Sequence, residues 1–143
     1  ETPSVWFWRS RDGWEVDLEA YPRWERTGLA GPTSAEAREL LVDLNRALSP
    51  ARLHFGWRTI DDVLDFLEHV DRAGGPLDFE RALDAAVYAK VLPKLRGSDS
   101  ERVRQALKDC QAALAAHGLG GSSRKVVELI RDLEETGSAR FWR

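Results

Sequence analysis

The chain has 143 residues, 43% of them apolar, and this size and composition fit one domain with a real hydrophobic core. Its 21 basic and 24 acidic residues give a net charge of −3, which argues against a dedicated nucleic-acid-binding protein, although a local basic patch remains compatible with it. The wholly apolar runs are too short to span a membrane. One cysteine cannot form an internal disulfide, and cysteine and histidine are too few and too scattered for a zinc site.

The sequence begins with Glu1 and contains no methionine. We therefore expect a processed chain or, more readily, a piece of a larger protein whose remaining part would carry the chemistry. No signal-peptide pattern is present. Cys110 lies in an apolar helical row, which is typical of a small core residue in a reducing compartment, and we expect a cytoplasmic protein.

Residues 1–24 differ from the remainder and are interpreted as a short strand or hairpin segment and a connection, ahead of a helical domain over 25–143. Residues 5–8 form an aromatic and β-branched run, residues 13–18 alternate apolar with polar, and Asp12-Gly13 is a turn signal. Four of the six tryptophans lie here, and they could stack on bases or sugars. Basic residues are not concentrated around them, so we favour a cover for the open end of a helical core, or a contact with a missing domain.

Two helical patterns follow the Pro- and Gly-containing stretch 21–32. The first is predicted over 34–48, with Thr33 and Glu36 as a capping box and Ser49-Pro50 as its stop. The second is predicted to begin after a Thr59 cap and to end at Gly74-Gly75. Each carries one apolar face at helical spacing.

Three further helices complete the pattern. Asp78 is predicted to cap the third, which should end or kink near Val91 because Pro93 removes a backbone donor. The fourth is predicted to begin at 98–100 and to close at His117-Gly118. The Gly-rich stretch 118–121 is interpreted as a flexible connection, after which Ser123 caps a fifth helix that ends at 137.

The predicted fold is mainly α: five helices in a bundle-like arrangement, with a small β element formed by the termini. For that element we expect a strand-like tail, residues 138–142, to pair with residues 5–8.

Arg58 is the candidate binding residue because it is predicted to lie just before the second helix, in the connection 54–59. The partial positive charge of a helix N-terminus repels a guanidinium, so an anion such as a nucleotide phosphate would satisfy both groups. The simpler alternative is an ion pair with Asp61 or Asp62, one turn further on.

Lys90 and Lys94, spaced by four on the C-terminal part of the third helix, are candidate contacts to a phosphate or a neighbouring subunit. A solvated basic helix end explains them more simply.

Recognisable catalytic motifs are missing from the sequence: it has no nucleophile elbow, no His-Glu-x-x-His and no dinucleotide fingerprint. Neighbouring carboxylates at 61–62 and 134–135 would point about 100° apart on a helix, so they do not make catalytic dyads. From the residues alone, we interpret the chain as a soluble helical interaction domain.

Three stretches together resemble the McrB-like AAA+ proteins, the nucleotide-hydrolysing subunits of modified-cytosine restriction systems. Residues 44–48, LNRAL, and 55–59, FGWRT, resemble that family's LNxxL and FGYRT passage. Residues 83–98, which begin with LD and end with KVLPKLRGS, resemble the helix and turn that follow. Residues 123–125, SRK, and 137–142, GSARFW, resemble the C-terminal SxxK and GxxxFW ending. Residues 16–22 are similar to the exit from the ATPase core, so the resemblance covers roughly 16–143.

The resemblance implies the C-terminal helical lid of an AAA+ module, with Arg58 as a sensor-2-type arginine. The parent protein would be a GTPase or ATPase that uses magnesium, forms a ring and works on DNA with a McrC-like nuclease. Walker A, Walker B and the Asn-containing signature are missing and would lie upstream of Glu1, and Trp57 replaces the usual tyrosine. The piece itself should therefore hold no cofactor or metal and hydrolyse no nucleotide.

Two other functions stay open. Helix five and the tail could form a winged-helix-like nucleic-acid-binding module; its candidate contacts are Arg124, Lys125, Arg131, Arg140 and Arg143. Four acidic residues in 122–143 cancel most of that charge. The chain could also be a protein–protein adaptor whose tryptophan-rich start is the contact surface.

Overall fold

The computed structural model describes residues 32–142 as five α-helices and one two-stranded sheet. The helices are α1 Pro32–Leu48, α2 Trp57–Ala73, α3 Phe79–Lys90, α4 Glu101–Ala116 and α5 Gly120–Thr136. The strands are β1 Arg96–Ser98 and β2 Ser138–Arg140, and 3-10 turns at Ser49–Ala51 and Leu92–Lys94 follow α1 and α3. The predicted mainly α fold is therefore confirmed. The predicted segment 1–24, the start of the 25–143 domain and Arg143 lie outside the described residues.

Leucines at helical spacing build the core. Those of α1 at 40, 41, 44 and 48 are completely buried, and α4 packs on both α1 and α5. α2 and α3 pack on each other across a short connection, and α3 also reaches α5. Burying one such side chain contributes about 1.5–3 kcal/mol, so this leucine framework fixes how the helices pack.

Cys110 lies fully inside this core, as predicted. Burial in apolar surroundings disfavours the thiolate and raises the pKa of Cys110 from its ordinary value of 9.0 to about 12. The sulfur is therefore a neutral packing group at physiological pH.

Several predicted helix ends are confirmed. The Asp78 carboxylate accepts a 2.8 Å hydrogen bond from the Arg81 N–H at the start of α3, and the Ser100 hydroxyl accepts one of 3.3 Å from Val103 at the start of α4. Gly74 and Gly137 end α2 and α5 with φ of 59° and 75°, a left-handed conformation that glycine adopts without strain. α3 ends at Lys90, and Pro93 lies in the 3-10 turn that follows.

Three helices begin earlier than predicted. α2 begins at Trp57 with Gly56 as its N-cap, so Thr59 is a buried residue of the first turn and not the cap. α5 begins at Gly120, so the second half of the Gly-rich stretch is helical and Ser123 lies inside the helix. α1 also begins at Pro32, two residues ahead of the prediction.

A side chain from α3 explains the early start of α5. The Asp84 carboxylate accepts hydrogen bonds of 2.7 Å from the Gly121 N–H and 2.8 Å from the Ser122 N–H. The Ser122 hydroxyl donates back to the Asp84 carbonyl at 3.1 Å. Asp84 therefore acts as an N-cap supplied from another helix, and it satisfies two first-turn donors at once.

The C-terminal tail contains the predicted strand, but its partner in the described residues is internal. β2 pairs antiparallel with β1, with Arg96 opposite Arg140, Gly97 opposite Ala139 and Ser98 opposite Ser138. The predicted partner, residues 5–8, lies outside the described residues. A Cβ on Gly97 would lie 3.2 Å from both methyl groups of Val103, so glycine lets β1 approach α4 closely.

Candidate functional site

Two hydrogen bonds at Phe55 hold the connection between α1 and α2 against α1. The Asn45 side chain of α1 donates a 3.0 Å hydrogen bond to the Phe55 carbonyl and accepts one of 2.8 Å from the Phe55 N–H. The Phe55 ring is buried in the core. These contacts fix the start of α2 relative to α1, and so they fix the backbone that carries Trp57 and Arg58. The role of Asn45 was not predicted, because helical periodicity does not report a contact ten residues away.

Arg58 is the second residue of α2 and is exposed. The prediction that it precedes the helix is therefore wrong: the observed N-cap, Gly56, lies three residues before the predicted one, Thr59. Gly56, the N-cap, offers no side chain to the first turn, and its backbone is extended. The first turn of α2 consequently has no side-chain cap. The Thr59 N–H donates to the Gly56 carbonyl at 3.0 Å, which leaves the N–H groups of Trp57 and Arg58 for an anion.

The local alternative for Arg58 is not observed. Within residues 32–142, Arg58 forms no ion pair with Asp61, with Asp62 or with any other carboxylate. Its guanidinium therefore keeps all its donors for a group outside the described chain. Binding a phosphate there would not require an existing ion pair to be broken.

An exposed aromatic side chain is next to Arg58 in the chain, and a depression that neither residue lines is formed at the end of α1. Trp57, next to Arg58, is 78% exposed, the largest exposure of any large apolar residue in the described part. The depression has a volume of about 520 Å³ and lies between the end of α1 and the connection to α2. It is lined by Asn45, Arg46, Ser49, Pro50 and His54. The start of α2 therefore presents a cation, Arg58, and an indole, Trp57, on a backbone that the Asn45 hydrogen bonds hold in place.

Lys90 and Lys94 are both exposed but do not share one helix as predicted. Lys90 is the last residue of α3, and Lys94 lies in the following 3-10 turn. Within residues 32–142 neither lysine forms an ion pair with a carboxylate, and their role as phosphate or subunit contacts stays a prediction.

The basic residues of the winged-helix alternative are dispersed. Lys125 is largely covered: its ammonium lies 5.3 Å from the centre of the Phe141 ring and 3.1 Å from the Glu128 carboxylate. Arg124 and Arg131 are exposed on α5, and Arg140 faces Arg96 across the sheet. Lys125 therefore contributes to packing and is not available for a duplex.

A metal site and a membrane-spanning helix are two other features that would bear on function. Between residues 32 and 142, no three or more side chains of His, Cys, Asp or Glu come together in a way that could hold a metal ion. None of the helices in that range combines the length and the apolar character needed to cross a membrane. Apart from Cys110, the resolved pKa shift there belongs to exposed Arg104, whose pKa is raised by its hydrogen bond and charge interaction with Asp99. That pair joins the end of β1 to α4 and is structural.

Comparison with known proteins gives one match. No curated protein and no solved structure matches the chain. Residues 18–138 match a protein family described as Domain of unknown function (DUF8727), which is well over half of the 143 residues. The chain therefore belongs to the DUF8727 family.

Proposed function

We propose that the chain is the C-terminal helical lid of a McrB-like AAA+ motor subunit, and that Arg58 contacts the phosphates of a nucleotide held by a separate core. The nucleotide would be GTP or ATP with magnesium. The lid would also contact neighbouring subunits of a cytoplasmic ring that acts on DNA together with a McrC-like nuclease. Lys90 and Lys94 would add contacts to phosphate or to the next subunit.

The observation that carries this proposal is the state of Arg58. It is an exposed arginine without a partner in the described chain, in the first turn of a helix whose cap is glycine. An arginine repelled by its own helix gains most when an anion binds between the two. The hydrogen bonds between Asn45 and Phe55 hold this turn in place, which limits the ordering cost of binding.

A lid arginine of this kind would act on turnover in two ways. Its guanidinium would stabilise the charge that develops on the phosphates as the terminal phosphoryl group is transferred. It would also connect the lid to the nucleotide, so that loss of the terminal phosphate releases one lid contact and favours opening. Both effects require the core, so the isolated chain should hydrolyse neither GTP nor ATP.

The test is nucleotide turnover by the full-length protein that contains this chain, with Arg58→Ala and a matched control. Arg102 is the control because it is also the second residue of its helix, α4, and is also exposed. We expect Arg58→Ala to lower turnover about 10-fold or more, whereas Arg102→Ala leaves it unchanged. Unchanged turnover in Arg58→Ala would remove Arg58 from the site. A full-length protein without nucleotide hydrolysis would reject the lid assignment itself.

A second variant separates position from charge. Arg58→Lys keeps the positive charge but loses the planar fork that binds phosphate through two donors. We expect it to restore only part of the turnover that Arg58→Ala loses. Full restoration would indicate that Arg58 contributes long-range charge and does not contact a phosphate.

A further inference from the structure

The two-stranded sheet has one buried and one open face. Along the tail, Ala139 and Phe141 are buried, while Arg140 and Trp142 are exposed, which is the alternation expected of an extended chain. The pairing register places Arg96 opposite Arg140. The residues that point outward are Arg96, Ser98, Ser138, Arg140 and Trp142, which we call the sheet face.

Opposed arginines are unfavourable in an antiparallel pair unless something neutralises them. In the described chain, neither Arg96 nor Arg140 forms an ion pair, and the carboxylate nearest in sequence, Asp99, is held by Arg104 at 2.7 Å. Two guanidiniums with no counter-charge on one face make a site for an external anion. Phosphate and carboxylate are the groups that arginine binds through two parallel hydrogen bonds.

A depression beside the two strands is also positively charged. It measures about 490 Å³ and is lined by Pro93, Leu95, Arg96, Gly97, Ser98, Ser138, Ala139, Arg140, Phe141 and Trp142. This lining contains two arginines, two hydroxyls and aromatic rings, and no carboxylate. The local charge is therefore positive on a chain whose net charge is −3.

Trp142 supplies a flat apolar surface beside these cations. Its indole is 73% exposed, and it meets the Phe141 ring edge to face at 4.7 Å between ring centres. Phe141 is buried and packs in the same manner on Tyr88 at 5.3 Å. The indole thus contacts Phe141 while most of its surface remains open. A large apolar ring in that position gains free energy when an apolar group covers it, and a flat ring covers most of its surface.

We propose that the sheet face binds single-stranded nucleic acid, with phosphates on Arg96 and Arg140 and one unpaired base stacked on Trp142. Cationic groups that hold the backbone and an aromatic ring that stacks on a base are the combination that single-strand-binding proteins use. This inference does not rest on the proposed lid function, because it uses none of the residues around Arg58.

Other anions fit the sheet face less well. A two-stranded ribbon can enter the major groove of a duplex, but the inner residues of this one, Ala139 and Phe141, are buried in the core. Bases in a duplex are also already stacked, so they leave Trp142 uncovered. The acidic side chains of a peptide could satisfy both arginines, but they carry no ring to stack on the indole.

The test is fluorescence anisotropy of a labelled oligothymidylate titrated with the full 143-residue chain at several salt concentrations. We expect weak binding, with a dissociation constant on the order of 10⁻⁴ M at about 50 mM salt, because the net charge of the chain is negative. Two phosphate contacts predict that the logarithm of the association constant falls with the logarithm of the salt concentration with a slope of about −1.4. Arg140→Gln should halve that slope to about −0.7, because one contact is lost.

Trp142→Ala separates stacking from charge. It should lower affinity about fivefold or more and leave the salt slope unchanged. Arg81→Gln is the matched control: it removes the same charge from an exposed arginine in the first turn of α3, away from the sheet face, and should change neither quantity. Circular dichroism of each variant confirms that it folds.

Labelled duplex and labelled polyglutamate serve as competing ligands. Tighter binding of either one than of the oligothymidylate would overturn the proposal. No binding of oligothymidylate by the folded chain, or equal effects of Arg81→Gln and Arg140→Gln, would also overturn it. Because no nucleotide hydrolysis enters these measurements, failure here leaves the Arg58 test unaffected.

Discussion

Replacing Asp84 by alanine should be the most damaging single change at a polar position of the described fold. It removes both acceptors of the Gly121 and Ser122 N–H groups, and Ser122 is completely buried. A hydrogen bond to a charged acceptor contributes about 1.5–3 kcal/mol. Asp84 is partly exposed, so water can replace some of the interaction, and we take the lower value for each bond. The expected loss is about 3 kcal/mol, or about 10 °C in Tm for a chain of this size.

Urea denaturation followed by circular dichroism measures this loss, and Asp78→Ala provides the scale. Asp78 caps α3 from its own N-cap position with one bond to Arg81 and is exposed, so its removal should cost about 1 kcal/mol. The two variants remove the same chemical group from two helix starts. If Asp84→Ala costs no more than Asp78→Ala, the cap supplied by α3 does not matter and our account of the α5 start fails.

Gly121 gives an independent test of the same contact. A Cβ at Gly121 would lie 2.7 Å from the Asp84 Oδ2, so Gly121→Ala must push the carboxylate off its donors. We expect this variant to lose about 1 kcal/mol or more. In an Asp84→Ala background the obstacle is gone, and the same change should gain about 0.5–1 kcal/mol because alanine favours a helix over glycine. The same effect in both backgrounds would refute the contact.

Three further predictions follow from single contacts. Asn45→Asp keeps the acceptor for the Phe55 N–H but cannot donate to the Phe55 carbonyl. It should lower the free energy of unfolding at neutral pH by about 1–3 kcal/mol. Part of that stability should be regained in acid, because a protonated carboxyl group can donate a hydrogen bond. Arg140→Gln should leave the free energy of unfolding unchanged or raise it by about 0.2–1 kcal/mol, because it relieves the repulsion from Arg96; a loss above 1 kcal/mol would contradict the opposed pair. For Cys110, burial raises the folded-state pKa to about 12 from an ordinary 9.0, so its stabilising contribution is complete below pH 9 and is lost as pH rises toward 12. Between about pH 7 and pH 10 the free energy of unfolding of the native chain should fall by about 1.4 kcal/mol more than that of Cys110→Ala, as measured by urea unfolding at each pH. If the difference in free energy between the two proteins does not change with pH, the thiol is not buried as described.

Local signals predicted most of the fold. Each helix has one apolar row at helical spacing, and those rows are buried in the structure. Caps within the chain, such as Asp78 and Ser100, were also readable, because an N-cap bonds to a backbone N–H only three residues away. Gly74 and Gly137 end their helices with positive φ, a conformation that glycine adopts without strain, and the sequence predicted both ends on that ground.

What the sequence did not reveal depends on partners distant in the chain. The stretch 118–121 has the composition of a flexible connection, and only a carboxylate 37 residues earlier converts its second half into the first turn of α5. The pairing of β1 with β2 joins segments about 40 residues apart, and each strand has only three residues. Such short strands carry almost no periodicity, so the partner could not be identified before the structure. The sheet face was missed for the same reason.

The residues that carry the McrB-like resemblance now divide into two groups. Most have a task inside the fold: Asn45 fastens Phe55, Asp84 caps α5, and Phe141 supports the tail. Arg58 has no such task, because it is exposed and bonds to nothing within the described chain. Arg58→Ala should therefore change the free energy of unfolding by less than about 0.5 kcal/mol, as surface substitutions do. A large loss of nucleotide turnover in the full-length protein, together with unchanged stability, would then place the function of Arg58 outside this fold. A large loss of stability would mean that Arg58 supports the fold, and the phosphate role would lose its physical basis.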